Sequence, residues 1–214
     1  SNLVPWQMAC EQAGAALRVV PIDDDGEFQF EAFEQLIGPR TRLVAVTHVS
    51  NALGTVTPVR RIVERAHSAG VPVLLDGAQA IAHARVDVQA IGCDFYAFSG
   101  HKLYAPMGIG VLYGKAEWLA KLPPYQGGGH MIRDVTFART EYDAPPRKYE
   151  AGTPNVEGAV GLAAALDYVE RIGLAAIGAH EAALLDYATA RVAEIDGLRV
   201  LTDSDKVKAR RKTM

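Results

Sequence analysis

Lys102 lies in the string Phe98-Ser99-Gly100-His101-Lys102-Leu103, one helix-like and one strand-like stretch beyond Asp76-Gly77-Ala78-Gln79. A lysine and a carboxylate spaced in this way can grip opposite ends of one flat cofactor. Pyridoxal phosphate needs an amine for a Schiff base, an acidic group that keeps the pyridine nitrogen protonated, and small polar donors for the phosphate. Lys102, Asp76, and Ser99 with His101 offer all three. Each also has a plainer reading. Asp76 can cap the following turn through the backbone of Ala78 or Gln79, Ser99 can cap a turn, His101 can be a satisfied structural histidine, and most lone lysines are solvated. Lys102 stands apart because Ser-Gly-His precedes it and Leu103-Tyr104-Ala105-Pro106 follows it.

The elements that must position these groups alternate along the chain. Apolar spacing and glycine stops predict helices over Pro5 to Gly14, Phe30 to Ile37 and Val59 to Ala69. Nearly continuous apolar runs at Ala16 to Ile22, Leu43 to Val49, Val71 to Leu75 and Asp94 to Phe98 read as strands, and such runs suit strands covered on both faces. A helical stretch near Gln79 to Ile91, a strand at Gly108 to Tyr113 and a short helix at Ala116 to Leu122 continue the pattern. From Pro123 to Pro154 periodicity is lost amid Gly127-Gly128-Gly129 and Pro145-Pro146, a long loop of the kind that serves function or an interface. Helices Val156 to Ile172 and Leu174 to Ile195 follow. Strand alternating with helix defines an α/β domain with a largely parallel sheet. In such sheets ligands collect beyond the carboxyl ends of strands, where Asp76, Ser99 and the Asn51 loop fall.

Composition narrows the class without naming the chemistry. The 214 residues are 49% hydrophobic and 22% charged, enough for one sizeable core. Net charge is −3, and because Leu201 to Met214 holds five Lys/Arg against two acids, the body before it is acidic. The body therefore has no electrostatic footprint for nucleic acid or an anionic membrane. No apolar run reaches spanning length, and no signal peptide is expected at Ser1. Two cysteines make no disulfide framework, so a cytoplasmic setting is the expectation. Residues 201–214 read as a basic, solvated tail after a domain over residues 1–200.

Several strings then carry a family resemblance. They are Asn2-Leu3-Val4-Pro5-Trp6-Gln7-Met8, Thr41-Arg42-Leu43, Thr47-His48-Val49-Ser50-Asn51-Ala52-Leu53-Gly54-Thr55, Asp76-Gly77-Ala78-Gln79-Ala80, Asp94 through Tyr104, Gly127-Gly128-Gly129 with Met131-Ile132, and Glu150-Ala151-Gly152-Thr153-Pro154-Asn155. In this order they resemble the class V aminotransferase-like family of fold-type I pyridoxal phosphate enzymes, and within it a cysteine desulfurase of the SufS/CsdA type. The resemblance runs from the first residues to about Val200. It implies a three-layer α/β large domain with a mostly parallel mixed sheet between helices.

Carried over by position, it implies that Lys102 forms the Schiff base and later moves protons, and that Asp76 pairs with the pyridine nitrogen. Gln79 would meet the phenolic oxygen, and Asn51 that oxygen and the substrate carboxylate. Ser99 and His101 would hold the phosphate, and Thr153 would reach the phosphate of the other subunit of a homodimer. The implied substrate is L-cysteine, whose sulfur passes to an enzyme thiol and then to an acceptor protein for iron-sulfur cluster assembly, leaving alanine. Selenocysteine or a transamination substrate would leave every motif unchanged, and a non-catalytic dimerising fragment is a further alternative.

Departures from the family pattern qualify this. The family's Gly/Thr-rich phosphate loop, its ring-stacking histidine, its nucleophilic cysteine and its carboxylate-binding arginine match nothing here, so the sequence reads as a central portion of such a domain. By itself it is expected to keep at most a weakened cofactor site and to release no sulfide from cysteine. Cys10 and Cys93 do not fall at the nucleophile's position and read as buried structural thiols. Ala105 stands where the family usually has glycine, a change expected to shift the loop after Lys102.

Overall fold

A computed structural model describes residues 3–198, 200 and 201. The remainder of the basic tail lies outside the described residues. Helix α1, Val4–Ala13, carries proline in its first turn and stops at Gly14, whose φ of 61° is left-handed. Helix α2 is Phe30–Leu36, and strand β1 is Val44–Thr47. Helix α3, Val59–Ser68, buries Val59, Ile62, Val63 and Ala66, the one-sided spacing of an amphipathic helix. Strand β2 is Val73–Asp76, α4 is Val88–Ile91, and β3 is Phe95–Ser99. A 3-10 turn, Gly100–Leu103, holds the lysine. Then come β4, Gly110–Gly114, α5, Ala116–Lys121, β5, Ile132–Val135, and β6, Thr140–Tyr142. Helices α6, Val156–Ile172, and α7, Leu174–Val192, close the described fold.

The main sheet runs β1-β2-β3-β4. Its first two pairings are parallel, with Thr47 opposite Asp76 and Asp76 opposite Ala97. β4 returns antiparallel, with Ser99 opposite Gly110. The α/β expectation holds, as a mixed sheet flanked by helices. Because side chains alternate along a strand, Val44, Val73, Leu75 and Tyr96 project from one face, where α2, α3 and α4 add Phe33, Ile62, Val63, Ala66 and Ile91 to a single core. A smaller core joins Ala82, Leu103 and Val169 of α6, with Leu174 and Ile177 of α7 packed against it.

Three expectations need correction. Residues 16–22 form no strand: they contribute one isolated bridge, Ile22 to Phe28, with no ladder beside it. The stretch from Gln79 to Ile91 is a series of turns followed by the short α4. Asp87 breaks it, because its carboxylate accepts from the N–H groups of Gln89 and Ala90 and so starts a new helix. The segment 123–154 is not structureless. It contains the β5–β6 hairpin, tied by the Thr136 N–H to the Arg139 carbonyl at 2.8 Å.

Candidate active site

The sheet register brings the polar strand ends to one face. Asp76 closes β2 and faces Ala97 across the parallel pairing, and Ser99 lies two residues beyond Ala97 on the same face. Strand spacing and rise put the Asp76 and Ser99 Cα atoms about 8 Å apart. Asp76 Oδ1 accepts from the Ala78 N–H at 3.0 Å, so the capping reading of this carboxylate is realised. Oδ2 makes no hydrogen bond among the described residues. Ser99 Oγ and His101 Nδ1 lie 2.8 Å apart, a hydroxyl and an imidazole paired at the mouth of the site.

Lys102 follows within the 3-10 turn and is half-buried. Its amine has no hydrogen bond or ion pair among the described residues. The turn is fixed on either side of it. Leu103 plugs the smaller core at 2% exposure, and Tyr104 adopts a left-handed φ of 63°, a conformation unfavourable for a residue with a Cβ. Its ring meets Tyr168 of α6 edge-on, centroids 6.2 Å apart. Ala105 is buried, and its N–H donates to the Gly100 carbonyl at 3.1 Å. Pro106 rests directly on Gly161 of α6, where a Cβ would come within 2.5 Å of its ring.

Asn51 and Gln79 meet in a cleft of about 200 Å³ shared with Val49, Ser50, Gly54 and His83. Asn51 stands in the turn after β1, and Gln79 in the turn after β2. The structure does not bring Thr153 to this cleft: it is exposed in the connection before α6. Among the described residues no cluster of three or more His, Cys, Asp and Glu could hold a metal ion. Cys93 is fully buried, and burial pushes its thiol up to about 11, which makes it a poor nucleophile. Cys10 departs from expectation: it is only partly buried, on α1, which has no buried residue.

Residues that sequence reasoning passed over sit beside this site. His83 Nδ1 lies 2.6 Å from Glu181 Oε1 of α7, and its place four residues past Gln79 is the signal that puts both on one side of a turn. His48 and Tyr96 are buried beneath the Asp76-Gly77 corner, with His48 Nδ1 at 3.0 Å from the Tyr96 hydroxyl. Burial lowers His48 to about 4, so its ring is neutral near neutral pH. Burial, with the charges of Cys93 and Asp76 adding, pushes the Tyr96 phenol upward.

A carboxylate with one oxygen unbonded, a hydroxyl-imidazole pair and an unpartnered lysine thus lie at adjoining strand ends of a mixed α/β sheet, and the sheet with its flanking helices has the architecture of a fold-type I large domain. The chain belongs to the aminotransferase class-V family, whose pattern matches residues 1–214. It is 57% identical over 201 residues to a cysteine desulfurase of Dickeya dadantii, covering 94% of this chain and 49% of the relative. A cysteine desulfurase of Synechococcus elongatus is 53% identical over 94% of this chain and 32% of that protein. The crystal structure of the cysteine desulfurase CsdA from Escherichia coli superposes with a TM-score of 0.92 at 41% identity, over 96% of this chain and 52% of that one. The chain thus spans about a third to a half of the length of these relatives.

Proposed function

We propose that this chain is the cofactor-bearing portion of a pyridoxal phosphate-dependent cysteine desulfurase. The observation that supports it most directly is the free Oδ2 of Asp76, on the same sheet face as Ser99 and just before the Lys102 turn. The residues fit the group. Lys102 would hold its aldehyde carbon and carry protons to and from the substrate. Asp76 Oδ2 would accept from the ring nitrogen, Gln79 would meet the phenolic oxygen, and Asn51 that oxygen and the substrate carboxylate. Ser99 and His101 would donate to the phosphate, and Thr153, exposed outside the cleft, would serve the phosphate site of a second copy in a homodimer. Pyridoxal phosphate, when bound, supplies the electron sink that lets bonds at the substrate carbons break.

The net reaction balances as L-cysteine plus an enzyme thiol giving alanine plus an enzyme persulfide, with the thiol sulfur as nucleophile. Neither Cys10 nor Cys93 is assigned that role. An acceptor protein would take the sulfur onward toward iron-sulfur cluster assembly in the cytoplasm. No helix among the described residues is long and apolar enough to cross a membrane.

Reconstitution with pyridoxal phosphate tests the reading. The protein should gain a visible absorption band that Lys102→Ala abolishes. Product analysis of the full-length protein with cysteine and with selenocysteine, in the presence of a thiol that reduces the persulfide, should show alanine and sulfide from the former. Absence of the band, or a band indifferent to Lys102→Ala, would sink the proposal.

A further inference from the structure

The corner that presents Asp76 is built from three neighbouring segments, and its least expected members are His48 and Tyr96. Gly77 follows Asp76, and a Cβ on it would stand 2.0–2.2 Å from Tyr96 Cε1, Cζ and Oη. The phenol ring therefore lies flush against the backbone that carries the carboxylate. Its hydroxyl is fixed by His48 Nδ1 at 3.0 Å, with the two rings edge to face and their centroids 5.9 Å apart. His48 grips the same corner through its backbone, since its N–H donates to the Asp76 carbonyl at 2.8 Å. From the other side, the Gly77 N–H donates to the Ala97 carbonyl at 2.8 Å.

Both rings are withdrawn from solvent, His48 and Tyr96 each at 2% exposure. A hydrogen-bonded polar pair there needs a reason, because an apolar pair of the same shape would fill the space with nothing left to satisfy. A directional bond fixes ring rotation in a way that apolar packing does not, and a group that must present a charge to a ligand gains from rigid support.

We propose that His48 and Tyr96 are positioning residues for the Asp76 carboxylate, setting its height and angle toward the cofactor ring through Gly77. This rests on the cofactor reading given above. His48 acts as a neutral partner of the phenol and touches neither cofactor nor substrate.

The test uses the cofactor-loaded protein and three readings: the rate of cofactor loss, the pH midpoint of the visible band, and the thermal midpoint. Tyr96→Phe removes one oxygen and keeps the ring on Gly77. It should speed cofactor loss about tenfold, the low end of what losing an outer-shell partner costs at metal sites. It should also move the pH midpoint in the same direction as Asp76→Asn. His48→Phe should do likewise. His48→Asn, whose amide reaches close to the Nδ1 position, should restore both readings toward wild type. A wild-type band that Asp76→Asn shifts but Tyr96→Phe leaves unmoved overturns this inference alone, as does a His48→Asn protein no better than His48→Phe. A wild-type protein without a visible band overturns the cofactor reading and this inference with it.

Discussion

The two faces of the main sheet are made by the same strands and differ in kind. On one, Val73 and Leu75 are fully buried and Tyr96 nearly so, under helix α3. On the other, Leu74, Asp76, Ala97 and Ser99 are only half-buried, apart from Phe95, which packs against Trp118 of α5 at the far end. Consecutive residues of one strand thus serve different ends. Residue parity along β2 and β3 separates what holds the domain together from what it offers to a ligand, and His48 with Tyr96 is the place where the two meet.

Substitutions can break that division or sharpen it. The largest effect is expected at Asp94, just before β3, which is 4% exposed. It accepts from His67 Nε2 at 2.7 Å, the Val73 N–H at 2.8 Å, Lys115 Nζ at 2.9 Å and Trp118 Nε1 at 3.1 Å. Burial alone would raise this carboxyl, but the hydrogen bonds from His67, Lys115 and Val73 outweigh it and hold it below the usual range. Asp94→Ala should cost about 3–5 kcal/mol in urea unfolding by stranding its partners. Leu75→Ala, on the covered face, should cost about 2–5 kcal/mol and leave the absorbance of bound cofactor unchanged.

Acid should loosen the covered face next. His48 has its ordinary value of 6.5 in the unfolded chain and about 4 when folded, so the unfolded state binds the extra proton between those values. Stability is complete above 6.5 and falls as pH drops toward 4, by about 3 kcal/mol in all. Urea midpoints at pH 7 and pH 4.5 measure it, and His48→Phe should flatten that slope. The smallest stability effect belongs to the open face. Ser99→Ala should change unfolding free energy by less than about 0.5 kcal/mol while weakening cofactor affinity about tenfold, as read by equilibrium dialysis. A comparable loss of stability there would erase the contrast between faces.

The covered face was also the legible one. Leu43 to Val49, Val71 to Leu75 and Asp94 to Phe98 announce strands because burial demands unbroken apolar runs, and α3 shows its side at helical spacing. Asp76, Ser99 and Lys102 were visible because they end such runs. Ala16 to Ile22 misled for the same reason: apolar character marks a strand only where a neighbouring edge exists to pair with it. Asp87 was a helix start inside an apparent helix, and Ile132-Arg133-Asp134-Val135, with two polar residues in succession and a register irregularity, carries no alternation by which a strand could be read. The bond between His48 and Tyr96 joins residues 48 positions apart, a separation across which no local pattern reports.

Pro106 on Gly161 has a mechanical consequence. A proline ring cannot swing aside as a flexible side chain would, and α6 offers bare backbone at the point of contact. The lysine turn therefore has a hard stop on that flank, and whatever travel it has must lie away from α6. Gly161→Ala would act as a shim, lifting the lysine by a fraction of an ångström without altering any group that does chemistry.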